Sequence, residues 1–292
     1  MTDRFKGLGV ALVTPFEEGL KVDHASLEKL VTHTISNGLD YFVVQGTTGE
    51  SVTVTRKEKH EILHTINEIN DNDKPVVFGC GGNNTSVVIE ELKKLEEEKI
   101  DAILSVCPSY NKPSQKGLLN HFEMVADNSP FPVILYNVPG RTSVNLTAES
   151  TLLLANHENI IGIKEASGDL AQCIRISKNK PDDFLLISGD DLFTMPLISI
   201  GAVGVISVLG NWFTRLMKDI VDHGISGNLH KAQDALFILS EINPLMYEEG
   251  NPAGIKCVLS LAGITKDYVR PSLSPVSEEL RAKIEAKFRK IA

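Results

Sequence analysis

No stretch of this 292-residue chain reaches the roughly 18 uninterrupted apolar residues that a membrane-spanning helix needs. The opening stretch, MTDRFKGLGVALVTPFEEG, is broken early by charge and holds no sustained apolar run of the kind a secretion signal carries. Cysteine is scarce: the four residues, Cys80, Cys107, Cys173 and Cys257, are scattered, and none forms a CxxC pair. That excludes a disulfide scaffold and reads as reduced thiols of a cytoplasmic protein. Basic charge is not in excess either. With 29 Lys and Arg against 38 Asp and Glu, the net charge of −9 excludes a nucleic-acid surface built on net charge, though not a local basic pocket for a small anion. There is no GxGxxG turn and no GxxxxGK[ST] loop; GCGGNN at 79–84 is glycine-rich but has the wrong spacing for a dinucleotide.

What is present is a rhythm. Short runs rich in Val, Ile and Leu recur at 10–13, 41–44, 76–78, 102–106, 133–136, 160–163, 184–187 and 203–208. Between them stand helical patterns such as 25–37, 56–70, 86–99, 115–127 and 148–157. Unalternated apolar strands separated by amphipathic helices specify a parallel sheet covered by helices. Eight such units in about 225 residues fit a closed (β/α)8 TIM barrel better than an open doubly wound sheet. The expected organisation is an α/β barrel over 1–226 and a helical region over 227–292 with about three helices and no strand. The breaks are SGN just before that region and EEGNPAG at 248–254 within it.

Polar and glycine-rich segments follow the strands: GTTGES after the second, PSYNKPSQ after the fourth, NVPGRTS after the fifth, KEASGD after the sixth and SGDD after the seventh. In a barrel those carboxyl ends share one face, where active sites sit. Lys164, at the end of the IIGIK run, therefore points into the mouth. A lysine there has two readings, a rim salt bridge or a nucleophilic amine. Stripping water from an ammonium favours its neutral form, which can attack a ketone, form a Schiff base and acidify the adjacent carbon. Such chemistry needs proton carriers nearby. Tyr136 ends the fifth strand and Tyr110 lies in the loop after the fourth, and tyrosine hydroxyls relay protons over short hydrogen bonds.

GTTGE offers two hydroxyls and closely spaced backbone amides, with Gly46 and Gly49 letting the backbone turn tightly beside a small carboxylate. The same pentapeptide also reads as a plain capped turn. Arg141, in VPGRT, suits bidentate pairing with a second carboxylate, or is a surface arginine. HEILH at 60–64 matches the HExxH zinc pattern. However, the apolar stripe of that helix is Ile62, Leu63, Ile66 and Ile69, so His60 and His64 project to the opposite, solvent-facing side. Glu165 alternates away from Lys164 along its strand and is expected behind the barrel wall.

With GTTGES, SYNKPSQ, YNVPGRT, GIKEASGD and GVISV in this order, essentially the whole chain resembles the dihydrodipicolinate (4-hydroxy-tetrahydrodipicolinate) synthases. These belong to the pyruvate-dependent aldolases that also include N-acetylneuraminate lyase. The resemblance implies a cytoplasmic lyase of lysine biosynthesis by the diaminopimelate route, needing no cofactor beyond a Schiff base between Lys164 and pyruvate. The derived enamine would attack aspartate semialdehyde. Thr47, Tyr136 and Tyr110 would form the proton relay, with Tyr110 completing a neighbouring subunit's site in a homotetramer built as a dimer of dimers. The resemblance also implies that Thr48 and Gly46 hold the pyruvate carboxylate and Arg141 the semialdehyde carboxylate, with the Ile206 carbonyl beside the lysine. Of the positions that bind the inhibitor lysine in regulated members, only Ser51 and Asn83 match. Ser109, Arg56, Lys59 and Val87 depart from the pattern, so lysine inhibition is expected to be weak or absent. The rival readings are a sister aldolase acting on a sugar acid or another aldehyde, a zinc hydrolase through HEILH, and a catalytically dead barrel.

Overall fold

The computed structural model describes residues 2–71 and 73–291; positions 1 and 292, the outer ends of the two expected regions, lie outside the described residues. Eight parallel strands close a barrel in chain order: β1 (Gly7–Ala11), β2 (Tyr41–Val44), β3 (Val76–Gly79), β4 (Ala102–Val106), β5 (Val133–Asn137), β6 (Ile160–Glu165), β7 (Leu185–Ser188) and β8 (Gly204–Ser207). The ring closes where β1 pairs with β8, from Gly7↔Gly204 to Val10↔Ser207. Around it run α1 (His24–Ser36), α2 (Arg56–Asn70), α3 (Thr85–Lys93), α4 (Gln115–Asn128), the single turn α5 (Pro139–Thr142), α6 (Ala148–Leu154), α7 (Leu170–Asn179), α8 (Thr194–Ser199) and α9 (Thr214–Ile225).

The strands are apolar on both faces because each face meets a different core. Phe42 and Val44 point outward into the layer under the helices. Tyr41 and Val43 point inward, joining Val77, Leu104, Ile134, Tyr136, Ile187 and Ile206 inside the barrel. Side-chain direction alternates along a strand, so an unbroken apolar run is what a doubly covered strand requires.

Of the boundaries that differ from the sequence expectation, two have a plain physical reason. β1 covers Gly7–Ala11 and not 10–13, because Gly9 is there to admit Tyr41: a Cβ on Gly9 would lie 2.3 Å from the tyrosine ring. The third helix ends at Lys93, short of 99. The residues beyond include Glu96, Glu97 and Glu98, and negative charge at a helix C-terminus opposes the macrodipole.

Beyond the barrel come three further helices, α10 (Leu229–Ser240), α11 (Ala253–Leu261) and α12 (Glu278–Ile291). Ile255, Val258 and Leu259 of α11 and Ile284 of α12 are fully buried and belong to the same outer core as Met217 and Ile220 of α9. The C-terminal region thus shares the barrel's core.

Candidate active site

Lys164 lies within β6, paired across the ladder with Tyr136 of β5 on one side and Ile187 of β7 on the other. Tyr136 and Ile187 both belong to the barrel interior, so the shared pleat turns the lysine inward as well. It is only 5% exposed, and its Nζ stands 4.4 Å from the centre of the Tyr136 ring. Among the described residues no carboxylate pairs with this amine. Gly189, following β7, makes room for it: a Cβ at that position would come within 3.1 Å of the lysine Cε and 2.7 Å of the Ala166 Cβ.

Glu165, one residue on, faces the other way. Its carboxylate is buried and accepts hydrogen bonds from Asn137 Nδ2 (3.1 and 3.2 Å), Gln172 Nε2 (2.9 Å) and the Ser167 amide (2.7 Å). With its hydrogen bonds coming from the end of β5, the loop after β6 and α7, it braces the wall from behind, as strand alternation predicts.

The GTTGE turn leaves β2 through Gln45 (φ +59°) and ends at Glu50 (φ +55°). Inside it the Gly49 amide donates to the Gly46 carbonyl and the Glu50 amide to the Thr47 carbonyl, while the Thr14 hydroxyl donates to the Gly49 carbonyl. The amides of Thr47 and Thr48 have no acceptor among the described residues. Thr48 is buried, and its Oγ1 accepts from Asn251 Nδ2 at 3.1 Å, which leaves the hydroxyl hydrogen free to donate. Unused amides beside a donor hydroxyl are what a small carboxylate needs.

Gly46, Thr47 and Tyr136 line a cavity of about 980 Å³ that extends outward between α2 and α3. Lys164 is not part of its wall, but Tyr136, whose ring meets the amine, is. Ser51 and Asn83 line the outer part of this cavity together with Arg56, Lys59 and Val87, so the expected effector positions converge in space. Ile206 sits in the barrel interior with Tyr136. Asp191, beyond β7, accepts from the amides of Val208 (3.2 Å) and Leu209 (2.9 Å) and so holds the chain just after β8; burial pushes its carboxyl up to about 6.

Two expected residues are exposed in the single chain. Arg141, in α5, is exposed and without a carboxylate partner among the described residues. Tyr110 is 89% exposed, on a left-handed backbone (φ +72°). His60 and His64 lie on the exposed side of α2, opposite buried Ile62, Leu63 and Ile66, and engage different carboxylates: Glu98 at 2.6 Å and Glu68 at 3.3 Å. Sequence reasoning missed Gly189, Asp191 and Asn251. SGDD and EEGNPAG marked the first two and the third only as loops, since their partners lie in other elements.

Residues 4–291 match the model of the Dihydrodipicolinate synthetase family. The 4-hydroxy-tetrahydrodipicolinate synthase of Cytophaga hutchinsonii is 46% identical over 287 residues, covering 98% of this chain and 97% of its own. Among solved structures, a dihydrodipicolinate synthase of Bacillus anthracis superposes with a TM-score of 0.95 at 36% identity, covering 99% of both chains. The chloride-inhibited dihydrodipicolinate synthase of Acinetobacter baumannii, complexed with pyruvate, does so with 0.95 at 33% identity, covering 98% of both. The inward lysine on β6, the tyrosine beside it and the carboxylate-ready turn thus stand in a chain that matches these synthases nearly end to end: it belongs to the dihydrodipicolinate synthetase family.

Proposed function

We propose that this protein is a lyase that condenses pyruvate with L-aspartate 4-semialdehyde to give 4-hydroxy-tetrahydrodipicolinate, in the diaminopimelate route to lysine. The observation that carries the reading is Lys164 itself: an amine 5% exposed, inside the barrel, 4.4 Å from the Tyr136 ring and without a carboxylate partner among the described residues. Such an amine attacks the keto carbon of pyruvate, and loss of water leaves an imine. The imine is the electron sink, so it does the work of a cofactor. Removal of a methyl proton gives an enamine, whose carbon attacks the aldehyde. The semialdehyde's own amine then displaces Lys164 and closes the ring.

Each proton movement needs a carrier at the amine. Tyr136 is in contact with it, and Thr47 lines the same cavity. Thr48 and the turn amides, with Gly46 providing close approach, suit the pyruvate carboxylate. Arg141, unpaired at the rim, suits the carboxylate of the semialdehyde, and Ile206 walls the interior beside them. Tyr110, so far exposed, suits a role in a neighbouring copy, which makes a dimer of dimers the assembly we propose, in the cytoplasm. Ser51 and Asn83 remain from a lysine-effector site that Arg56, Lys59 and Val87 have made poorly suited to a cation.

Borohydride reduction with pyruvate, followed by peptide mass mapping, tests the mechanism. An adduct on Lys164 is expected; an adduct elsewhere, or none, overturns it. Turnover with aspartate semialdehyde and not with sugar acids separates the synthase from a sister aldolase.

A further inference from the structure

The second buried lysine, Lys256 of α11, is 0% exposed and has no place in the chemistry above. Its Nζ lies 2.5 Å from Glu50 Oε1 and donates to the Tyr268 carbonyl at 2.8 Å. The other Glu50 oxygen accepts from the Arg270 amide at 2.9 Å. The Lys256 ammonium and the Arg270 guanidinium lie 4.2 and 4.4 Å from the centre of the Phe16 ring. Arg270 reaches further, to the Leu20 and Thr53 carbonyls and to the Glu58 carboxylate. Glu50 is the last residue of the GTTGE turn, and its left-handed φ of +55° is one that an L-residue keeps only when its surroundings impose it. Two residues before α11 begins, Asn251 donates to the hydroxyl oxygen of Thr48.

We infer that Lys256 is a positioning residue: by pairing with Glu50 it clamps the far end of the GTTGE turn, so that the C-terminal region sets where Thr47 and Thr48 present their amides and hydroxyls to pyruvate. The inference rests on the proposed use of that turn for the pyruvate carboxylate and the proton relay. A buried ion pair with a purely structural role is replaceable by neutral groups of similar volume, because both desolvation costs vanish together. A clamp is not, because the direction of the bond is lost with the charge.

The test is E50Q/K256M, which leaves no unpaired buried charge, compared with the parent protein. It is expected to melt within about 5 °C of the parent. Its KM for pyruvate is expected to rise about tenfold and its kcat to fall about tenfold, with the KM for aspartate semialdehyde held within about twofold. Hydrogen exchange in the peptide spanning 46–50 is expected to quicken about tenfold, while the barrel strands keep their protection. A folded double variant with unchanged exchange at 46–50, or with pyruvate KM and kcat both within about twofold of the parent, overturns the clamp. Failure of the parent to trap pyruvate on Lys164 would overturn the proposed function instead, and the exchange measurement would still decide the clamp.

Discussion

Lys164 and Lys256 are both buried in the described structure, and their surroundings are opposite. Lys256 meets a carboxylate at 2.5 Å, a backbone carbonyl and the face of Phe16. Lys164 meets the face of Tyr136, a glycine that makes room for its stem, and no carboxylate among the described residues. Burial is thus common to the two; the partner is what separates them. An ion-paired ammonium is held as a charge and cannot attack a ketone, whereas an unpaired amine at the mouth of a barrel can. Burial pulls Lys256 down to about 8, and the Glu50 carboxylate works against that pull.

The sharpest way to break this comparison is to remove each lysine. Lys164→Ala is expected to lower turnover by on the order of a thousandfold or more and abolish borohydride trapping, with thermal stability unchanged or raised, since no ion pair is lost. Lys256→Met alone is expected to act first on stability and to spare trapping. It strands the Glu50 carboxylate and costs about 3–5 kcal/mol in urea unfolding, while Lys164 in the molecules that remain folded still traps pyruvate. Equal loss of trapping in the two would erase the distinction.

Smaller effects refine it. Tyr136→Phe keeps the ring against the amine and removes only the hydroxyl. Turnover is expected to fall on the order of a hundredfold with imine formation still detectable by trapping. The two regions also answer differently to acid. Hydrogen bonding to Arg270 holds Glu58 down, to about 2, from 4.5. Its contribution to stability is therefore complete above pH 4.5 and is lost as the pH falls from there to 2. Asp191, near the end of β8, is raised from 3.8 to about 6, so the folded state holds its proton more tightly and stability declines as the pH rises through that window. Urea midpoints measured across pH 2–7 should flatten in the lower window for Glu58→Gln and between 3.8 and 6 for Asp191→Asn. The smallest expected effect is that of lysine: at about 1 mM it should leave the rate within twofold, because Arg56, Lys59 and Val87 face the cavity that Ser51 and Asn83 share.

Much of this was legible in the chain itself. Runs such as YFVV and VILYN are apolar on both faces because both faces are covered, and eight of them alternating with helices leave little but a barrel. Lys164 was conspicuous because a charge ended such a run. The turn at GTTGE was visible, but its anchors were not. Asn251 lies 203 residues from Thr48, and Lys256 lies 206 residues from Glu50. In AGIKCVLSL the lysine is the one charge in a helix apolar on every face, which points to burial, but nothing local names Glu50 as its partner. Gly9 likewise carried no strand signal, since its reason is the Tyr41 ring on the neighbouring strand.

By itself, then, the sequence determined the period of the chain, the barrel that period implies, and the presence of an amine, tyrosines and a glycine-bearing turn at one end of it. Those are consequences of local patterning and of strand polarity. Only the tertiary structure decided which lysine stays unpaired and which is locked to a glutamate. That choice depends on which side chains meet across about two hundred residues of chain, and electrostatic partnership is a property of distance in space.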